Sequence, residues 1–151
     1  MTDKELYLEA VRARKRAYAP YSGFLVGAAL LTDQGKVYSG GNIENAAYSP
    51  SNCAERTAFF KAISEGERRF LAIAIAGGPA DSEALDFCPP CGVCRQVMQE
   101  FCCGEEFRII MGNREGVLRT LRLQDLLPLG FGAEQLRQSA EVHGKDGGEA
   151  E

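Results

Sequence analysis

Two short segments constrain this chain more than anything else in it: Cys53-Ala54-Glu55 and Pro90-Cys91-Gly92-Val93-Cys94. Each stands at the start of a stretch of helical character, just after a loop that leaves a strand-like run. A C-x-x-C at a helix N-terminus puts two sulfurs within reach of one ion, and the helix dipole and free N–H groups there stabilise thiolates. If Cys53 is to supply a third sulfur, the fold must set two helix starts side by side. In open α/β sheets such ends line the ligand crevice.

The remaining sequence supplies the elements of such a sheet. Thr2 and Glu5 read as a capping box opening a helix that is expected to reach about Tyr18, with Leu6, Ala10, Ala13 and Ala17 along one side. Pro20 and Gly23 break it. Phe24 to Leu31 reads as a buried strand and Lys36 to Ser39 as its hairpin partner across Thr32-Asp33-Gln34-Gly35, with Gly40 and Gly41 at the end. Asn42 to Pro50 lacks a period and reads as a loop. Asn52 is expected to cap a second helix, Cys53 to about Glu65, closed by Gly66. Phe70 to Ala76 is a strand, 77 to 90 a loop rich in Gly and Pro, and Cys91 to about Cys102 a third helix. Phe107 to Met111 and Val117 to Leu121 are further strands, and Gln124 to Leu127 is a helical turn before Pro128. Strand-helix-strand units imply parallel pairing, and the hairpin in front makes the sheet mixed. The expectation is an α/β fold, a helix-covered mixed sheet of five strands. A single domain is expected over 1–136, and the polar stretch 137–151 is expected to fray.

Charge and composition narrow the function. The 151 residues hold 17 basic and 21 acidic side chains, a formal net charge of -4, which argues against a nucleic-acid partner. The basic cluster Arg12, Arg14, Lys15 and Arg16 reads as a solvated helix face. No apolar run approaches the roughly 20 residues of a membrane span. The N-terminus lacks the apolar core of a secretory signal, so a cytoplasmic protein is expected. Clustered cysteines in a reducing compartment point to metal or catalysis. The sole histidine, His143, sits in the polar tail, so metal ligands in the body must be thiolates or carboxylates.

Cys53, Cys91 and Cys94 as ligands leave zinc's fourth tetrahedral position open, the catalytic arrangement. Zinc lowers the pKa of bound water from about 15.7 to about 7. Glu55 is placed to take the proton of that water and pass it to substrate and leaving group. Three thiolates around a divalent cation leave one net negative charge, and Arg56 is assigned to offset it by hydrogen-bonding a thiolate. Rival readings are a thiol-disulfide pair and a structural zinc site completed by Cys88, the one plausible rival ligand. Cys102 and Cys103 read as buried or half-buried small hydrophobes.

C-x-E followed by P-C-x-x-C is the zinc deaminase signature. Together with Asn42-Ile43-Glu44-Asn45-Ala46-Ala47-Tyr48, Cys53-Ala54-Glu55-Arg56-Thr57-Ala58 and Pro90-Cys91-Gly92-Val93-Cys94-Arg95-Gln96, it resembles the small homotetrameric cytidine deaminases over roughly residues 5 to 136. The resemblance implies a three-layer α/β/α fold with helices on both faces of the sheet. It implies one zinc ion per subunit and hydrolysis of cytidine and deoxycytidine to uridine and deoxyuridine in pyrimidine salvage, with zinc hydroxide as nucleophile and Glu55 as proton shuttle. By the same resemblance Asn42 and Glu44 hold the ribose hydroxyls, with Asn45 in the same block. Phe24 packs on the pyrimidine, and Ala54 offers backbone groups. Ala46 to Tyr48 border a neighbouring subunit's pocket, and Phe131 closes a neighbour's site by stacking. The residue types suit these tasks, although Asn42 and Asn45 also suit turns, and Phe24 and Phe131 also suit core positions. Cys88 and the tail look like additions to the family pattern. A deaminase of a related amino-heterocycle or nucleoside antibiotic is the nearest alternative, and a structural zinc-binding module is the alternative from another class.

Overall fold

The computed structural model describes residues 1–83 and 85–138. Its elements run α1 (Asp3–Arg14), β1 (Phe24–Thr32), β2 (Val37–Gly41), α2 (Ala54–Ser64), β3 (Phe70–Pro79), α3 (Gly92–Phe101), β4 (Arg108–Gly112), β5 (Leu118–Arg122) and α4 (Leu123–Leu126). The strands form one mixed sheet in the order β2-β1-β3-β4-β5. Only the β3–β4 pair is parallel, and the other three pairs are antiparallel. The crossover through α2 therefore steps over β1: β2 and β3 run the same way, with β1 inserted antiparallel between them.

Side-chain size alternates along the central strands and decides which helix goes where. On one face Ala28 and Leu30 of β1 and Ile73 and Ile75 of β3 pack with Ala58, Phe59 and Ala62 of α2 and Met98 of α3. On the other, Ala29, Ala72, Ala74 and Ala76 pack with Leu6, Tyr7 and Ala10 of α1. Each buried Ile or Leu contributes about 1.5–3 kcal/mol, so the first face carries most of the hydrophobic stabilisation. The alanine face instead allows close approach. A Cβ built on Gly27 would lie 2.1 Å from the Ala10 carbonyl oxygen and 2.2 Å from the Arg14 nitrogen. These are backbone atoms, so α1 itself would have to move. Gly27→Ala is expected to lower unfolding free energy by about 3 kcal/mol, read from the denaturation midpoint. An unchanged midpoint would contradict the close approach.

Several boundaries differ from expectation for reasons that lie far away in sequence. α1 stops at Arg14 rather than Tyr18. The Tyr18 N–H donates to the Asn42 carbonyl and the Tyr18 carbonyl accepts from Glu44 N–H, both at 2.8 Å, so its backbone is committed elsewhere. The expected loop after β2 is thus pinned at its start, and Gly40 and Gly41 belong to the strand. Ile43 also exchanges backbone hydrogen bonds with Asn52. That engages Asn52, and Cys53 becomes the N-cap of α2 in its place. β3 continues through Gly77 and Gly78 to Pro79 because β1 pairs with it from Phe24 onward. Arg14 is not on a solvated face. It is 8% exposed, and its guanidinium donates to the carbonyls of Leu25, Gly78, Pro79 and Ser82. It ties the end of α1 to the β1 and β3 ends beside the site. No helix among the described residues is long and apolar enough to cross a membrane. The expected fraying of the tail, and His143, fall almost wholly outside the described residues.

Candidate active site and metal centre

Cys53 and Cys91 are the N-cap residues of α2 and α3, each with extended backbone and neither using its side chain to cap. Cys94 follows in the first turn of α3 and is buried. Two helix N-termini therefore point their unpaired N–H groups and positive dipole ends at one place. The three sulfurs lie within 4.8 Å of one another, and those of Cys53 and Cys91 are 3.7 Å apart. A tetrahedral zinc with Zn–S of about 2.3 Å needs sulfurs about 3.8 Å apart, so the donor set fits that ion. Its charge fits too. The hydrogen bond from Cys94, helped by Arg56 and Cys91, lowers the Cys53 thiol, whereas the same bond and burial raise Cys94. The sulfurs alone support one thiolate readily and resist a second, and a divalent cation removes that resistance. Arg56 Nη2 donates to Cys53 Sγ at 3.4 Å, while its buried Nε has no partner.

Beside the sulfurs is a cavity of about 330 Å³ lined by Asn42, Glu44, Cys53, Ala54, Glu55, Arg56 and Cys91 among others. Glu55, in the first turn of α2, is only 4% exposed. Burial pushes its carboxyl up to about 7. A carboxyl poised there both accepts and donates a proton near neutrality. Glu44 is held from a different direction. Its Oε1 accepts from the backbone N–H groups of Tyr21 and Ser22, each at 3.0 Å. Hydrogen bonds from Ser22, through its side chain and its backbone, then from Tyr21, hold its carboxyl below the usual range, leaving an ionised group. The Asn42 amide is braced at both ends, with Oδ1 accepting from Val26 N and Nδ2 donating to Phe24 O.

Other candidates stand apart from this cavity's lining. Asn45 makes a local turn, its Oδ1 accepting from Ala47 N, and it is exposed with Ala46 and Tyr48. Tyr48 borders a second pocket, of about 280 Å³, with Tyr21, Ser22 and Glu44. Phe24 and Phe131 are exposed, and Phe131 is tied down through its carbonyl, which accepts from Gln96. Cys88 lines the cavity but lies outside the group of three sulfurs, so the four-cysteine reading loses its fourth ligand. Cys102 is half-buried against the core, whereas Cys103 is exposed, because it opens the turn that follows the end of α3. Val26, Ser51, Asn52 and Pro89 complete the lining and were not anticipated. Tyr21 and Ser22, which the sequence did not single out, fix Glu44.

The family model for the cytidine and deoxycytidylate deaminase zinc-binding region matches residues 1–110. The chain belongs to this family. A cytidine deaminase of Sporosarcina psychrophila is similar to it, 48% identical over 141 residues that span 93% of this chain and 99% of that protein. Another from Halalkalibacterium halodurans is 48% identical over 136 residues, 90% of this chain and 98% of the relative. Among solved structures, cytidine deaminase from Burkholderia pseudomallei superposes with a TM-score of 0.78 at 46% identity, covering 87% of this chain and 100% of that one. The family match and the sulfur geometry agree on zinc as the cofactor. The expected α/β fold with a five-stranded mixed sheet and helices on both faces is that of these neighbours.

Proposed function

We propose that this protein is a zinc-dependent cytidine deaminase that hydrolyses cytidine and deoxycytidine to uridine and deoxyuridine, releasing ammonia. One observation carries the reading: the buried carboxyl of Glu55 opens into the same cavity as the sulfurs of Cys53 and Cys91. Cys53, Cys91 and Cys94 hold the zinc, which when bound supplies a Lewis acid that brings a water's pKa down toward neutrality. Glu55 takes the proton of the attacking water and delivers it to ring nitrogen N3. Glu55 then takes the proton of the hydroxyl added at C4 and passes it to the amino group, which leaves as ammonia as the ring carbonyl forms. Arg56 keeps a positive charge against the thiolates, and the backbone of Ala54 faces the base.

Asn42 and Glu44 grip the ribose. Their bracing supports this role, because a hydroxyl meets groups that are already aligned and need no ordering. Glu44→Gln is expected to raise KM for cytidine by about 10–100-fold, the scale of a charged hydrogen bond, with kcat changed less. The penalty should vanish for an analogue lacking the gripped hydroxyl, and an equal penalty on both compounds would reject the assignment. Phe24, whose ring lies with Cys88 over Gly77, packs on the base. Asn45 contacts the substrate, and Ala46, Tyr48 and Phe131 complete sites between subunits of a homotetramer. The exposure of Tyr48 and Phe131, 75% and 58%, supports that assembly, since large aromatics prefer burial. The proposal includes a single domain over 1–136, a cytoplasmic salvage role, and neither nucleic acid nor membrane as partner. Purified zinc-loaded protein should convert cytidine to uridine, seen by ultraviolet absorbance, with one ammonia per turnover. Stoichiometric zinc without turnover would refute the function.

A further inference from the structure

Cys88 lines the same cavity as Glu55 and Cys53, and the mechanism leaves it unused. Its seat is made by a missing side chain. A Cβ on Gly77 would lie 2.6 Å from Cys88 Sγ and 3.1 Å from Phe24 Cε1, so thiol and ring both lie over the end of β3. Burial raises the Cys88 thiol to about 12, with the charges of Glu55 and Cys53 adding to the effect. At neutral pH it is an uncharged, polarisable wall near the reacting end of the cavity. A second observation says that this cavity takes a ligand. Glu55 is 4% exposed and opens into the same cavity. The cavity, about 330 Å³, is at the lower end of the roughly 300–1,000 Å³ range of small-molecule sites. A single side chain in its wall therefore takes a large share of the room.

We propose that Cys88 is a specificity-determining residue: its thiol, seated on Gly77 beside Phe24, closes the base end of the cavity and limits the substituents that a cytosine ring can carry there. This rests on the deaminase reading above. The test uses the zinc-loaded protein and compares kcat/KM for cytidine with kcat/KM for cytidines methylated at ring carbon 5 or 6. Cys88→Ala should raise the methylated-to-unmethylated ratio at one of these positions by about tenfold, the scale of one methylene in an apolar pocket. Zinc content should stay at the wild-type level. Cys88→Val, which adds bulk, should move the same ratio down, and it carries the test if the alanine variant fails to fold. Ratios unmoved in both variants would overturn the proposal, as would zinc loss, which would make Cys88 a ligand. Wild-type protein that does not turn over cytidine at all would overturn the deaminase reading as well. Normal turnover with unmoved ratios would overturn this inference alone.

Discussion

Glu55→Gln will keep its zinc and lose at least about 10³-fold in kcat. General acid–base catalysis alone is worth about 10²–10⁴-fold, and the proposed mechanism asks Glu55 for two successive transfers. Glutamine is nearly the same size and fits the same pocket, and a neutral amide costs less to bury than a carboxylate. The variant should therefore fold, with a melting temperature within a few degrees of wild type. It should also still bind the nucleoside, because the grip of Asn42 and Glu44 is untouched. The measurements are metal content, calorimetric binding and single-turnover rate on one preparation. Wild-type turnover would remove Glu55 from the mechanism. Lost activity together with lost zinc would reassign it to the metal site.

Removing a sulfur should act on the fold as well as the chemistry. Cys94 is 1% exposed and belongs to the main core cluster with Met98 and Phe107. Cys94→Ala removes a ligand and also opens a cavity between α3 and the sheet. Binding of a structural-type zinc is worth about 10–16 kcal/mol in small domains, comparable with the 5–15 kcal/mol stability of a typical whole protein. The variant should hold far less than one zinc per chain and melt well below wild type. Stripping the wild-type protein with a chelator should also lower its melting temperature, and added zinc should restore it. Chelation is the cleaner comparison, because it leaves the core side chain in place. A Cys94→Ala protein with full zinc and unchanged melting would refute the ligand assignment.

The metal centre was legible because its logic is local. Cys91 and Cys94 share one helix turn, and Glu55 sits on the turn that Cys53 opens, so spacing alone puts each pair together. Their meeting across the fold was inferred from the place of helix starts in α/β sheets, and that rule is general. What escaped was set by partners distant in sequence. Nothing near Tyr18 shows that its backbone pairs with Asn42 and Glu44, so α1 looked longer than it is. Arg14 looked like one more charge in a basic run, because the carbonyls that it serves lie at the far ends of β1 and β3. Gly77 and Gly78 read as loop residues, because the pairing that extends β3 comes from Phe24 and Leu25. The hold on Glu44 followed the same pattern: Tyr21 and Ser22 both give it backbone N–H groups, which a sequence does not advertise.

The central claim concerns what surrounds the metal, and X-ray absorption at the zinc edge of the purified protein tests it most directly. The expected spectrum is that of a zinc ion with three sulfur neighbours and one oxygen, the oxygen exchanging when a nucleoside ligand is added. Four sulfurs would mean that Cys88 or another thiol fills the open position, leaving no place for the attacking water, and would contradict the account.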